Sequence, residues 1–194
     1  MPIINFVRHA ETVYNSDRIF AGRIDCDLSE KGIQDTISKF DYKKEDFDVY
    51  YCSPLKRSQN TLKLIIEGID EFNIDDRIIE ISIGDWEGKK KDSFPKELIN
   101  EYRNGLYTPP NAETTQEVDD RVTSFVSELF ELFDDKTLIF VVTHNGVMRS
   151  IKRNFIPNYE NIMSNNLESI VLDRKNYAYY LNKKQKEKVM KKCR

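Results

Sequence analysis

The 194-residue chain carries a formal net charge of −3, with 39% hydrophobic, 11% aromatic and 32% charged residues. That is the length of one domain with enough apolar side chain to bury a core, so a disordered or collagen-like chain is excluded. No run of about 18 apolar residues marks a membrane span, and the charge is uneven: residues 183–194 hold a net +6, leaving −9 on the body. An acidic body argues against nucleic acid as the partner, and the basic tail reads as a solvated helix end.

In chain order, residues 3–7 form a short apolar run suited to a buried strand. Ser29 is placed to cap a helix reaching about Phe40. Residues 47–52 make a second strand, and Ser53-Pro54 then predicts an N-cap with proline at the first helical position, in a helix through about Ile66. Residues 77–81 predict a third strand.

Residues 82–113 hold the single Trp86, the Lys89-Lys90-Lys91 run, Pro95, Pro109 and Pro110. They predict an irregular insertion with one helix near residues 96–103 and the lysine run on a solvated face or as an attractor for an anionic substrate. Thr114 and Glu117 form a capping box. Behind it Val118, Val122, Phe125, Val126, Leu129, Phe130 and Phe133 share one helical face. Residues 137–143 are the clearest buried strand, followed by a helix from Asn145 to about Phe155. Residues 168–173 and 177–181 predict two final strands.

Alternating strands and helices predict an α/β fold, three-layer α/β/α, with a largely parallel central sheet. One domain spans residues 1–182, with 82–113 as a lid or specificity insertion, and 183–194 form the tail. The start of the chain lacks the features of a secretory signal. Cys26, Cys52 and Cys193 have neither disulfide-framework nor zinc-site spacing, and no thiol nucleophile's His partner is evident. A cytoplasmic location is expected.

Parallel sheets bind ligands beyond the carboxyl ends of their strands. Both histidines of the chain sit there. The first predicted strand ends in Arg8-His9-Ala10-Glu11-Thr12, and the strongest later one in Thr143-His144-Asn145-Gly146. The second strand leads toward Arg57, and the third through Glu80 toward Gly84-Asp85-Trp86-Glu87-Gly88. Singly, each residue has a structural reading. Jointly they suit phosphoryl transfer: guanidinium forks for phosphate oxygens, an imidazole nucleophile, and a carboxylic acid to protonate the leaving group. By chemical type alone, either histidine can be the attacking one.

These segments together resemble the histidine phosphatase superfamily, the phosphoglycerate-mutase-like group. Arg8-His9-Ala10 is similar to its Arg-His-Gly motif, and Asn15 falls at that motif's Asn position. Phe20-Ala21-Gly22, the Asp25 to Gly32 block, Ser53-Pro54-Leu55-x-Arg57-x-x-x-Thr61, Glu80 to Gly88 and Thr143 to Val147 resemble further segments in the family's order. The resemblance implies His9 as nucleophile through a phosphohistidine. It implies Arg8, Arg57 and His144 as phosphoryl-holding groups and Glu80 as general acid and base. Asn15, Thr12, Ala21, Gly22 and Asn145 are the substrate-binding positions. No metal or other cofactor is expected, and the partner is a small-molecule phosphate ester, without nucleic acid or membrane. Ala10 stands where the family has Gly, Asp27 where it has Pro, and Asn111-Ala112 where it has Gly-Gly. None of these removes a proposed catalytic group.

The compact length favours a phosphatase over a phosphoglycerate-mutase type transfer between hydroxyls. A non-catalytic phospho-ligand module requires a missing catalytic group, and none is missing. A metal hydrolase built on His9, His144 and carboxylates such as Asp25 has two arginine charges opposing the cation. Specificity is expected from residues 82–113, including Trp86, Tyr102 and Tyr107.

Overall fold

The computed structural model describes residues 1–158 and 163–192, with backbone alone for 188–192. Its elements are β1 (Ile3–Arg8), α1 (Val13–Ser16), α2 (Glu30–Lys39), β2 (Tyr42–Lys43), β3 (Val49–Cys52), α3 (Lys56–Ile65), β4 (Ile66–Glu67) and β5 (Asn73–Ile74). They continue as α4 (Lys96–Arg103), α5 (Thr115–Leu132), β6 (Leu138–Thr143), α6 (Asn145–Phe155), β7 (Ser169–Leu172) and α7 (Arg174–Lys192).

The main sheet runs β5-β3-β6-β1-β7. Only the β1–β7 pairing in it is antiparallel. β6 lies at its centre, with Ile139 to Thr143 buried, as an uninterrupted apolar run requires when both faces of a strand are covered. Alternation sorts its side chains between two layers. Ile139 and Val141 join Ile4 and Phe6 against α5 and α6, with Phe125 and Phe155 at the centre. Phe140 and Val142 join Val7 and Tyr50 against Leu62 and Ile65 of α3. The fold is therefore a three-layer α/β/α sandwich. The buried Cys52 belongs to the second layer, and its thiol is pushed up by burial, so it packs as an apolar group.

Local signals explain most boundaries. Ser29 Oγ accepts from Gly32 N–H at 3.0 Å, and Thr114 and Glu117 cap each other reciprocally. Three expectations fail for identifiable reasons. Residues 77–81 form no strand. Asp75 caps a single 3₁₀ turn over Asp76–Ile78, and the carbonyls of Arg77 and Ile79 are taken by Arg121 Nη1 at 2.7 Å each. With those acceptors satisfied by a side chain, the segment needs no strand neighbour, and the two-residue β5 forms the sheet edge instead.

Residues 177–181 are helical, not extended. Asp173 Oδ1 accepts from Lys175 and Asn176 N–H at 2.8 and 3.2 Å, starting α7. Tyr177 and Tyr180 then share one helical face, stacking on Phe130 and packing on Phe155 at 4.6 Å each. α7 runs without a break through residue 183, so the basic segment continues a helix that begins in the body. Cys193 and Arg194, at the end of the basic tail, lie outside the described residues. The third failure is Ser53, which is not the N-cap of α3: its Oγ accepts from Leu55 N–H at 3.3 Å, one residue before the helix. α3 begins at Lys56, whose N–H is held by Asp25 Oδ1 at 2.9 Å.

The insertion at residues 82–113 builds its own small core. Phe20, Ile83, Trp86 and Ile99 are buried together, flanked by Phe94, Tyr102 and Tyr107. Trp86 is the hub, in ring contact with Phe20, Phe94, Tyr102 and Tyr107. It packs this unit instead of lining a ligand surface. Gly84 permits the close crossing: its φ is +52°, and a Cβ would stand 2.1 Å from the Pro110 carbonyl oxygen.

Candidate active site

Register brings the chemistry together. β1 pairs Arg8 with Thr143 of β6, and β3 pairs Cys52 with Val142. The next residues, His9, His144 and Ser53, therefore leave three adjacent parallel strands at one edge. There they line or underlie a partly open cavity of about 110 Å³. Arg8, His9, Thr12, Asn15, Ala21, Gly22, Arg57, Glu80 and Asn145 all line it, although they come from five separate stretches of chain. His144 is fully buried beneath, its ring 5.1 Å from that of His9.

The hydrogen bonds of the two imidazoles hold both rings and set the tautomer of His9. His9 Nδ1 meets the Ala10 carbonyl oxygen at 2.7 Å. A carbonyl only accepts, so Nδ1 carries the proton and Nε2 keeps its lone pair. His144 Nε2 faces the Ser53 and Ser58 hydroxyls at 2.6 and 3.2 Å, while its buried Nδ1 has no partner. A hydroxyl both donates and accepts, so these contacts hold the ring in place and fix no tautomer. Burial, and then the Arg8 and Arg57 charges, hold His9 well below the usual imidazole range. Burial and Arg57 do the same for His144, so both rings are neutral.

The two guanidiniums are anchored from behind. Arg57, 1% exposed, donates from Nη1 to Ile24 O at 2.8 Å and from Nη2 to Gly22 O at 2.7 Å. Arg8 donates from Nη1 to Ser164 O. In both, the buried Nε has no partner. Thr61 ties the two motifs together: its hydroxyl donates to Arg57 O at 2.7 Å and accepts from Ala10 N–H at 3.0 Å. Ala10 is fully buried and is not among the residues with positive φ, so its methyl group adds no backbone strain.

Glu80 is fixed without a strand. Its Oε1 accepts from Gly146 N–H at 2.8 Å and Ile81 N–H at 2.9 Å. Its carbonyl accepts from Arg23 Nε at 3.0 Å. Glu113 braces this support, with Oε2 3.1 Å from Arg23 Nη2 and Oε1 2.7 Å from Arg121 Nε.

The remaining sequence-selected residues have mixed positions. Thr12 and Asn15 form the capping box of the one-turn α1. Asn15 Oδ1 also accepts from Asn166 Nδ2 at 3.3 Å. Asn145 holds Ser164 N–H through Oδ1 at 3.0 Å. Gly22, at φ +52°, lies so close to Glu87 that a Cβ would stand 2.3 Å from its Oε1.

Sequence reasoning missed Ser58, Asn166 and Arg149, and read Lys91 within a run that was either a solvated face or an attractor for an anionic substrate. Asn166 Nδ2 donates to His9 O at 2.9 Å from a loop with no motif around it. Arg149 follows Asn145 by four residues on α6, a spacing that puts both on one helical face and could have flagged it. Lys89 and Lys90 are exposed as expected, but Lys91 turns in and lines the cavity.

A model of the histidine phosphatase superfamily, branch 1, matches residues 4–183. The chain belongs to that superfamily. Among curated relatives in it, a phosphoserine phosphatase 1 of Hydrogenobacter thermophilus is 33% identical over 152 residues, 75% of this chain and 72% of its own. The adenosylcobalamin/alpha-ribazole phosphatase of Salmonella typhimurium is 31% identical over 151 residues, 73% of each chain. A 2,3-bisphosphoglycerate-dependent phosphoglycerate mutase of Rhizobium etli is 29% identical over 161 residues, 75% of each. Among solved structures, YhfR of Bacillus stearothermophilus superposes with a TM-score of 0.74 at 23% identity, covering 89% of this chain and 91% of that one. A mycobacterial glucosyl-3-phosphoglycerate phosphatase in complex with VO3 reaches 0.75 at 21% identity, covering 88% and 92%. The histidine phosphatase fold is thus shared across phosphatases and mutases. No helix among the described residues is long and apolar enough to cross a membrane.

Proposed function

We propose that this histidine phosphatase hydrolyses small phosphomonoesters through a phosphohistidine on His9, without a metal ion, in the cytoplasm where Cys26 and Cys52 stay reduced. The observation that carries the reading is a pair of buried, unpartnered guanidinium donors, Arg8 Nε and Arg57 Nε, with the unpartnered His144 Nδ1 beneath, around one ring nitrogen that keeps its lone pair. Unmet buried donors are costly. A phosphoryl group on His9 Nε2 offers each of them an oxygen.

In the first step His9 Nε2 forms a bond to phosphorus as the ester P–O bond breaks, and protonated Glu80 delivers its proton to the departing oxygen. Arg8, Arg57 and His144 hold the non-bridging oxygens, supplying the charge stabilisation that phosphoryl transfer needs. In the second step Glu80 takes a proton from water as the water oxygen bonds to phosphorus and the N–P bond breaks. Inorganic phosphate leaves and the site is restored. Asn15, with Thr12, Ala21, Gly22 and Asn145, shapes the wall around this group. The partly open cavity favours water as acceptor over a second hydroxyl.

The test is p-nitrophenyl phosphate hydrolysis with chelator present, for the natural protein and His9→Ala. Metal-free turnover that is lost in the variant supports the mechanism. Turnover that appears only with a divalent ion overturns it. Phosphoryl transfer to a second hydroxyl without phosphate release identifies a mutase instead.

A further inference from the structure

One residue outside the cavity joins two of its walls. The carbonyls on either side of Arg23, those of Gly22 and Ile24, are held by Arg57 Nη2 and Nη1 at 2.7 and 2.8 Å. The Arg23 side chain reaches the other way. Its Nε donates to the Glu80 carbonyl at 3.0 Å and its Nη2 to Glu113 Oε2 at 3.1 Å. The backbone around Arg23 is thus fixed to a phosphoryl-holding guanidinium, and its side chain to the backbone of Glu80.

Glu113 and Arg121 complete the hold from behind. Glu113 accepts from Arg121 Nε and Nη2 at 2.7 and 3.0 Å. Its Oε2 also takes the Ser82 N–H at 3.3 Å, and its own N–H donates to Ser82 O at 2.9 Å, so the two ends of the insertion close here. Arg121 Nη1 meanwhile holds the carbonyls of Arg77 and Ile79. Residues 79–82 belong to no helix or strand, so these side chains set the path of the arm that carries Glu80. Glu113 and Arg121 are only 13% and 15% exposed, where charge-assisted bonds are weakly screened. None of Arg23, Glu113 and Arg121 lines the cavity, so they act on the reaction only through the groups they hold.

Resting on the phosphatase reading, we propose that Arg23 is a positioning residue: with Glu113 and Arg121 behind it, it fixes where Glu80 stands relative to the Arg57 side of the phosphoryl site. Proton transfer to a leaving oxygen needs the acid within hydrogen-bond reach of it, so the separation of these two walls decides whether Glu80 can deliver its proton.

The test is steady-state hydrolysis of ethyl phosphate and p-nitrophenyl phosphate by Arg23→Met and Glu80→Gln. The departing oxygen of ethyl phosphate needs a proton, and that of p-nitrophenyl phosphate needs it far less. Arg23→Met is expected to lose at least about tenfold more kcat on ethyl phosphate than on p-nitrophenyl phosphate, part of the ~10²–10⁴-fold that a positioned general acid supplies. Inhibition by inorganic phosphate should keep its strength, because Arg8 and Arg57 stay in place. The Arg23 side chain is 39% exposed, which favours a folded variant. If Arg23→Met does not fold, Arg23→Lys carries the same comparison, since one ammonium cannot reproduce the planar fork. Arg153→Met, which breaks an ion pair with Asp119, is the structural control and should slow both esters equally or not at all. Equal loss on the two esters in the Arg23 variant, an unchanged kcat, or the same selective loss in the control overturns the proposal. Glu80→Gln tells this failure from that of the reading beneath it. Selective loss in Glu80→Gln with none in the Arg23 variant removes the positioning role alone. No selective loss in Glu80→Gln removes Glu80 as proton donor, and the positioning role with it.

Discussion

Replacing Gly146 by alanine places a methyl carbon 2.5 Å from Glu80 Oε1 and 2.8 Å from Ile81 Cγ2, where ordinary contact begins at 3.4 Å. Gly146 is a helical residue without positive φ, so the backbone of α6 accepts the change. Alanine even gains about 1 kcal/mol of helix propensity. The far end of the Glu80 side chain must withdraw by roughly 1 Å and loses its 2.8 Å bond from Gly146 N–H, while the stiff, β-branched Ile81 must also give, at a cost in packing. A misplacement of about 1 Å in a reacting group costs on the order of 10²-fold in rate. The effect must depend on the leaving group. An alkyl phosphate needs its departing oxygen protonated, whereas p-nitrophenolate leaves largely unaided. Steady-state assays of Gly146→Ala should therefore show kcat down about 10²-fold on ethyl phosphate, with a much smaller loss on p-nitrophenyl phosphate, in a protein that the Ile81 contact destabilises by about 1–3 kcal/mol but that stays folded. An equal loss on both esters, or no loss on either, refutes Glu80 as the proton donor.

Because burial and arginine charges hold both histidines below the usual imidazole range, the unfolded chain binds protons that the folded one does not as pH falls below about 6.5. Stability should therefore decline from pH 6.5 toward pH 5 by up to about 1.4 kcal/mol per histidine per pH unit, as urea titrations would show, and His9→Asn should remove about half of the slope. A flat profile refutes neutral buried rings. Asn166→Ala removes the donor to His9 O and should lower kcat severalfold while costing about 1 kcal/mol of stability. Unaltered kinetics would show that Asn166 does not position His9.

The sequence by itself determined the strands that carry the site. The fully apolar β6 and the short β1 could only be buried, and a parallel α/β pattern places the residues after them at one edge. His9, His144, Arg8, Arg57 and Glu80 were legible because strand-end position and residue type are local properties, and the family motifs sharpened them. What the tertiary structure alone decided is how those groups are held. Ser53 looked like a helix cap but serves His144, because Asp25, distant in sequence, had already taken the start of α3. Residues 77–81 looked like a strand, yet Arg121 takes their carbonyls and leaves Glu80 in an extended arm against Gly146. Tyr177 and Tyr180 fit a strand by propensity, and the aromatic rings of Phe130 and Phe155 make them helical. The Lys89–Lys91 run read as a solvated face or an anion attractor, and only the fold shows that Lys91 alone of the three turns in, to line the cavity with Arg149. Hydrogen-bond competition, long-range packing and the summed charge of a cavity arise between segments far apart in the chain, and no local pattern encodes them.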